Sequence, residues 1–347
     1  VYTDGQGSIT TVNYEEDNQG ASTQTTQVKG RLLATNQGVT NIGFSSPASE
    51  FNGSTDDGAY FENQGKEAFA SAMSDDKPTA GSISLYANNG SVWKVQPNPV
   101  SVLDTEEVSG VMNRFSNLSH YHSYGFSLID LTAPDAAQDL NIVSLTGDSA
   151  SFRLRTYIDE QRITGGGGDE SQIRDHVNLL RGNGQHYILM KSSGLGYPYP
   201  EQKDYLVWSR EPNTLYILNP QTGQTAGTPG ENNLSFRLGA LAGTGGINAI
   251  PYVRALSKID FGIYNYFLTT RDRDHDGIDM DGIEFFLSRG DSPEYSPSTD
   301  LYRTLAGFGA EYAIWWADLS DLRKRLGEVR YGAQDGPWVR FITQKDN

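Results

Sequence analysis

Residues Asp272-Arg273-Asp274-His275-Asp276-Gly277-Ile278-Asp279 gather the chain's strongest set of metal-ligating side chains. Carboxylates alternate at Asp272, Asp274 and Asp276, a glycine follows where the backbone must turn sharply, and Asp279 lies just beyond. The first six residues match the opening of a calcium loop, D-x-D-x-D-G. The twelfth loop position, however, falls on Ile283, with Glu284 one step late. Strand-like segments, Gly262 to Thr269 and Gly282 to Leu287, flank the cluster where helices would be needed. It therefore reads as a hairpin tip: a Ca²⁺ site built from Asp272, Asp274, Asp276 and Asp279, or an acidic loop whose charges repel. Ca²⁺ is the one cofactor the residue types suggest.

Other clusters carry less chemistry. Arg289-Gly290-Asp291 is the tripeptide that integrins read in extended loops, a candidate receptor-binding site, although Gly290 and Pro293 suit an ordinary turn equally well. His120-Tyr121-His122 places two imidazoles on one face of a strand, a metal pair without a third ligand, so surface histidines are the simpler reading. Gly147-Asp148-Ser149 has the order of a serine-hydrolase nucleophile triplet. Ala150 stands where glycine is expected and nothing fixes a base nearby, which leaves a turn. Asp104, Glu106 and Glu107 are neighbours on a short polar stretch and read as solvated rather than as paired glycosidase acids. The Gly165–Gly168 run opens no helix and lacks a following Lys, so it cradles no phosphate. No catalytic constellation emerges, and the chain reads as non-enzymatic.

Composition bounds the rest. The chain has 347 residues, a net charge of -16, 38 glycines and no cysteine. Such acidity excludes nucleic acid and anionic lipid as partners, since both demand clustered Lys and Arg. Without cysteine there is no disulfide frame or thiolate metal site, which suits a chain exported unfolded through an oxidising compartment. No run of eighteen apolar residues occurs, and Val1 does not begin a signal peptide. The chain reads as an excised piece of a longer one.

The elements that must hold these clusters are mostly strands. Up to about Ala80 the chain is polar, with short apolar groups such as Leu32-Leu33 and Ile42-Gly43-Phe44 that suit stacked coils. Ile83 to Tyr86 and Val92 to Val95 flank the turn Asn88-Asn89-Gly90. Further strands are expected at Gly125 to Leu131, Leu140 to Leu145, Phe152 to Ile158, Asp175 to Leu180, Gln185 to Met190, Tyr205 to Trp208, Leu215 to Leu218, Phe236 to Leu238 and Ile259 to Leu268. A short helix fits Thr105 to Phe115. Near the end, Leu319, Leu322, Leu326 and Val329 line one helical stripe that extends back to about Asp300. Trp338 to Phe341 then reads as a strand.

Four stretches together resemble one family. LYANNGSVWKVQPNPVSVL has its Leu strand, Gly-Ser-x-Trp and Ser/Val/Leu strand. FRLRTYIDEQ, then DHVNLLRGNGQHYILMKSSG, resembles its terminal rungs. Ile259-Asp260-Phe261-Gly262-Ile263-Tyr264-Asn265-Tyr266-Phe267-Leu268 resembles its autochaperone strand. Lys324 to Arg330 with Gly336 to Arg340 is similar to its linker helix and first barrel strand. The family is that of monomeric autotransporters of type V secretion.

The resemblance implies an all-β fold: a right-handed parallel β-helix over residues 1–218 and a β-sandwich-like, pertactin-type cap over 219–295. One long C-terminal α-helix would follow over 296–333, with the start of a barrel strand at 334–347. Phe261, Gly262, Tyr264, Tyr266 and Phe267 would form the cap that nucleates passenger folding. The implied partners are the chain's own C-terminal β-barrel and a host-cell receptor or glycan, with self-association through the exposed helix stripe. The implied location is the bacterial outer membrane and cell surface, and the role is display in adhesion. Members that cut themselves do so between two asparagines. Ser320 and Asp321 stand here, so that cleavage is not expected. A passenger whose catalytic part, carbohydrate-active or proteolytic, lies upstream is the alternative.

Overall fold

A computed structural model of the chain describes residues 1–14, 25–57, 81–97, 115–134, 137–156, 175–192, 205–209, 217–218, 225–226, 234–242, 252–261, 264–272, 282–289, 294–297, 299–301 and 303–307. Turn-rich, β-branched and aromatic segments make short strands, and 21 are present among the described residues. In chain order they are β1 (Tyr2–Asp4), β2 (Ile9–Val12), β3 (Gln27–Lys29), β4 (Leu32–Thr35), β5 (Val39–Phe44), β6 (Glu50–Gly53) and β7 (Thr55–Asp56). Next come β8 (Ser82–Asn88), β9 (Val92–Val95), β10 (Phe115–Asp130), β11 (Asp139–Thr156), β12 (His176–Gly182), β13 (Gly184–Ser192) and β14 (Val207–Ser209). The last are β15 (Ile217–Leu218), β16 (Thr225–Ala226), β17 (Leu234–Ala242), β18 (Tyr252–Leu256), β19 (Ile259–Phe261), β20 (Tyr264–Asp272) and β21 (Ile283–Ser288).

Large parallel sheets dominate the pairing. One ladder is β1-β4-β7. A second runs β2-β5-β8-β10-β11-β12-β14. A third runs β3-β6-β9-β10-β11-β13-β17. The chain visits these ladders in the same order on successive passes. Strands β10 and β11 serve two ladders each, the first half of each strand in the second ladder and the last half in the third. The separate strands expected at Leu140 to Leu145 and from Phe152 are thus one 18-residue element. It bends at Gly147 (φ +82°) and Ser149 (φ +65°), where its register with β10 shifts between Tyr124 and Ser127.

In-register stacking explains the core. Side chains alternate along each strand, so apolar residues at matching registers form inward columns. One column is Ile42, Leu85, Tyr121 and Leu145. Another is Phe51, Trp93, Ile129, Phe152, Ile188 and Leu238, and all of these are buried. Phe51 and Trp93 stack at 5.4 Å, and Trp93 Nε1–H donates to Gly53 O at 2.9 Å. Each such side chain contributes about 2 kcal/mol by leaving water. Stacked parallel rungs from Leu32 to about Leu218, as the recurring short strands imply, would turn Trp93, Leu145, Phe152 and Leu180 inward, and Trp93, Leu145 and Phe152 are buried there. Leu180 is not: Val177 and Leu179 take the inward positions of β12, so alternation leaves Leu180 half-buried.

Antiparallel strands follow the parallel ones. Strand β21 pairs antiparallel with β14, and β20 pairs antiparallel with β21. Strand β18 lies antiparallel on β17. β17, placed by sequence in the cap region, itself pairs in parallel with β13. Leu218, placed in the stem, pairs antiparallel with Thr225. The single strand expected from Ile259 to Leu268 is two strands, β19 and β20, folded back with Phe261 opposite Tyr264. Tyr266 and Leu268, on one face of the second arm, are buried in the core.

By contacts the chain divides into Val1–Ser296 and Pro297–Asn347. In the second unit the described helical residues lie between 297 and 307. One long C-terminal helix is not seen among the described residues. Positions 308–347, with the remaining helix stripe and the expected barrel strand, lie outside them, as does the helix expected from Thr105 apart from Phe115, which opens β10.

The corner at Gly147 is closely packed. A Cβ there would sit 2.0 Å from Ser123 O, and one at Gly184 (φ +88°) would sit 1.7 Å from Gly147 O. Both positions need glycine for conformation and for space. Gly147→Ala and Gly184→Ala should each lower stability by about 2–4 kcal/mol. Gly125→Ala, with a left-handed φ but nothing within 4 Å, should cost about 1 kcal/mol. Urea titrations of the three variants check this order.

Candidate functional site

The outer face of the second ladder carries an aromatic column that begins with an empty position. Gly43, Tyr86 and His122 are successive register partners, and His122 is followed by Thr146. A Cβ on Gly43 would meet Asn13 O at 2.0 Å. Because it is absent, the chain at Asn13 and Tyr14 lies over the strand, and the Tyr14 ring packs on Tyr86 with centres 4.2 Å apart and planes tilted by 31°. Tyr86 stacks on His122 at 4.6 Å with planes 5° apart. Thr146 Oγ1 hydrogen-bonds His122 Nδ1 and orients the imidazole. Burial and the Tyr14 hydroxyl push the Tyr86 phenol well above its usual range.

Along β10 the neighbours of His122 on this face are His120, at 6.1 Å between ring centres, and Tyr124, at 6.4 Å with planes 8° apart. Burial and the nearby Arg181 guanidinium hold His120 below the ordinary imidazole value; burial and His120 do the same for His122. Both are neutral at pH 7. The structure thus keeps the two histidines on one face, as their spacing implied. The partners Tyr14, Tyr86 and Thr146 were missed, since only strand register brings them there. Among the described residues no group of three or more His, Cys, Asp or Glu is placed to hold a metal ion.

A buried polar row lies at another edge of the same ladder. Asn178 Nδ2 donates to Asn141 Oδ1 at 2.9 Å, and Asn141 Nδ2 donates to Asn117 Oδ1 at 2.8 Å. Tyr205 OH donates to Asn178 Oδ1 at 2.8 Å and closes the row. Beside it, His176 Nδ1–H donates to Asp139 Oδ1 at 2.9 Å. Asp175 accepts the backbone N–H of Gln138 at 2.8 Å and of Arg155 at 2.7 Å, tying the start and end of β11 together. Burial raises its carboxyl to about 6, against the pull of those two N–H groups. These residues are sealed from solvent and hold the stack; they offer substrate no access.

Among the residues singled out from sequence, Tyr266 is buried and Tyr264 and Phe267 are half-buried. Phe261 belongs to β19, and Gly262 lies outside the described residues. Asp272 ends β20 opposite Ile283. Asp274, Asp276 and Asp279 lie outside the described residues, as do Gly290 and Asp291. Arg289 is half-buried, with its guanidinium 4.6 Å above the Tyr264 ring, where it helps to hold the sheet. Arg271 pairs with Glu284 at 2.7 Å and lies over Phe286 at 4.4 Å.

Two buried groups titrate in opposite senses. His186 donates from Nε2 to Asn183 O at 2.8 Å, and burial lowers it to about 4. The unfolded chain takes up this proton near pH 6.5 while the fold resists, so stability falls from about pH 6.5 towards 4, by up to about 3 kcal/mol. Asp175 is raised, so its contribution is full below about pH 3.8 and is lost as pH rises through about 6. Relative to wild type, His186→Gln should therefore gain stability between pH 7 and pH 4.5, and Asp175→Asn should lose it. Denaturant titrations at both pH values check the two signs.

No protein-family model matches this chain, and no curated protein is significantly similar to it.

Proposed function

We propose that this chain is a display stem, a right-handed parallel β-helix whose C-terminal antiparallel strands cap the stack and nucleate its folding, as in an autotransporter passenger. It does no chemistry of its own; it carries more distal regions away from the bacterial surface for adhesion. The observation that carries this reading is the covering of the second ladder at its C-terminal end. Strand β21 lies antiparallel on the whole of β14, while β18 pairs only with the far half of β17, Leu238–Ala242. Every residue of β21 is buried, including Phe285, Phe286 and Leu287. An open parallel ladder exposes unpaired N–H and C=O groups and templates aggregation, so a covering sheet is what a stack at high local concentration requires. Repeated passes also interact mainly with their neighbours, which lets order spread from one completed end. Such spreading outside the cell would draw the remaining chain through a pore without ATP.

The repeated visiting order of the ladders and the inward columns support the β-helix. The four sequence stretches support the family. In this reading Asp272, Asp274, Asp276 and Asp279 hold Ca²⁺. If the cap is the nucleus, amide exchange should be slowest in β12, β14, β20 and β21 and fastest in β1 to β3. Tyr266→Asp should abolish surface display by the full-length protein while leaving barrel insertion intact. Slowest exchange within residues 1–57, or normal display of the variant, would falsify the nucleus role.

A further inference from the structure

On the outer face of β10 to β12 the aromatic rings make one wall of a trough. Tyr86 and His122 are nearly parallel with centres 4.6 Å apart. Coplanar rings cannot approach so closely, so they overlap face to face, and their normals point from strand to strand. Tyr124 is parallel to His122 within 8° but lies along the strand. His120, His122 and Tyr124 therefore stand side by side as a blade rising from β10. The face of His122 towards β8 is covered by Tyr86. Towards β11 the blade overlooks Ser144, Thr146 and Asp148, its register partners, which are short. Arg181 of β12, the register partner of Ser144, stands beyond them, exposed and close enough to influence His120. Two strand spacings, about 9.6 Å, separate the blade from β12. That leaves room for about one sugar ring over a floor of hydroxyls.

We propose that this trough binds a neutral oligosaccharide lying along β10 and β11. Electron-rich ring faces attract the polarised C–H groups on one side of a pyranose. Arg181 supplies donors and Asp148 an acceptor for vicinal hydroxyls, Asp148 Oδ1 being already held by the Gln185 N–H and Thr146 Oγ1 by His122. The charge is the deciding point. In a chain of net charge -16, the trough balances one carboxylate against one guanidinium, and its imidazoles are uncharged at pH 7. An acidic polysaccharide would be repelled by the whole and attracted by little. Tyr124 is 42% exposed, the largest free ring of the blade. The site adds a ligand class to the display reading but does not depend on it, since binding is read on the folded chain without secretion.

Calorimetry of the chain against hexasaccharides of glucose, mannose, galactose and N-acetylglucosamine, with a uronic-acid hexasaccharide alongside, tests the site. At least one neutral hexasaccharide should bind at millimolar concentration or better. Tyr124→Ala and Arg181→Gln should each weaken it by about tenfold, the size of one lost stacking or charge-assisted contact. Tyr252→Ala, an exposed ring on β18, should leave binding unchanged. Circular dichroism confirms that each variant is folded. No binding by any neutral member, tighter binding of the uronic hexasaccharide, or binding that survives both Tyr124→Ala and Arg181→Gln overturns the proposal.

Discussion

Hydrogen bonding between neighbouring parallel strands is the constraint from which the rest of this structure follows. Strands of three to six residues cannot stand alone, because each leaves a row of polar backbone groups that only a neighbour can satisfy. Once the neighbour is in register, side chains of equal position fall above one another. Phe51, Trp93 and Phe152 then share a column, as do Asn117, Asn141 and Asn178. A slip of one residue would turn the first column out to water and break the amide chain of the second. Apolar burial and polar satisfaction thus enforce the same alignment.

That alignment also dictates what the ends must look like. A ladder of parallel strands has no natural stopping point, and stopping requires a strand of opposite sense or a covering surface. Here β21 runs back against the stack on β14 with Phe285 and Phe286 buried in the closure, whereas Tyr252 of β18 stays exposed. Arg271 and Arg289 lie on Phe286 and Tyr264 and brace the same sheet.

Much of this was legible in the sequence, and the parts that were not share a cause. The all-β class, the turn at Asn88 to Gly90 and the inward Trp93 follow from composition and alternation, which are local. Leu180 misled because two adjacent leucines cannot both face inward, and their environment alone decides between them. The division of Ile259 to Leu268 was hidden because both arms have strand composition. His120 and His122 were visible as a pair with the right facing. What surrounds them was not: Tyr86 lies 36 residues upstream, and Tyr14 reaches the column through space that Gly43 leaves. A sequence shows which side chains exist, and a stack decides which become neighbours.

The vacancy at Gly43 binds two distant positions into one unit of inheritance. A side chain there would evict Asn13 and Tyr14, whose backbone atoms are the ones it would meet first. Tyr14 contributes to the outer column only while position 43 stays bare, so the effects of changing the two cannot add. Drift at one site sets the terms for drift at the other, across 28 intervening positions. An absence of atoms, rather than a contact, is what selection would have to preserve.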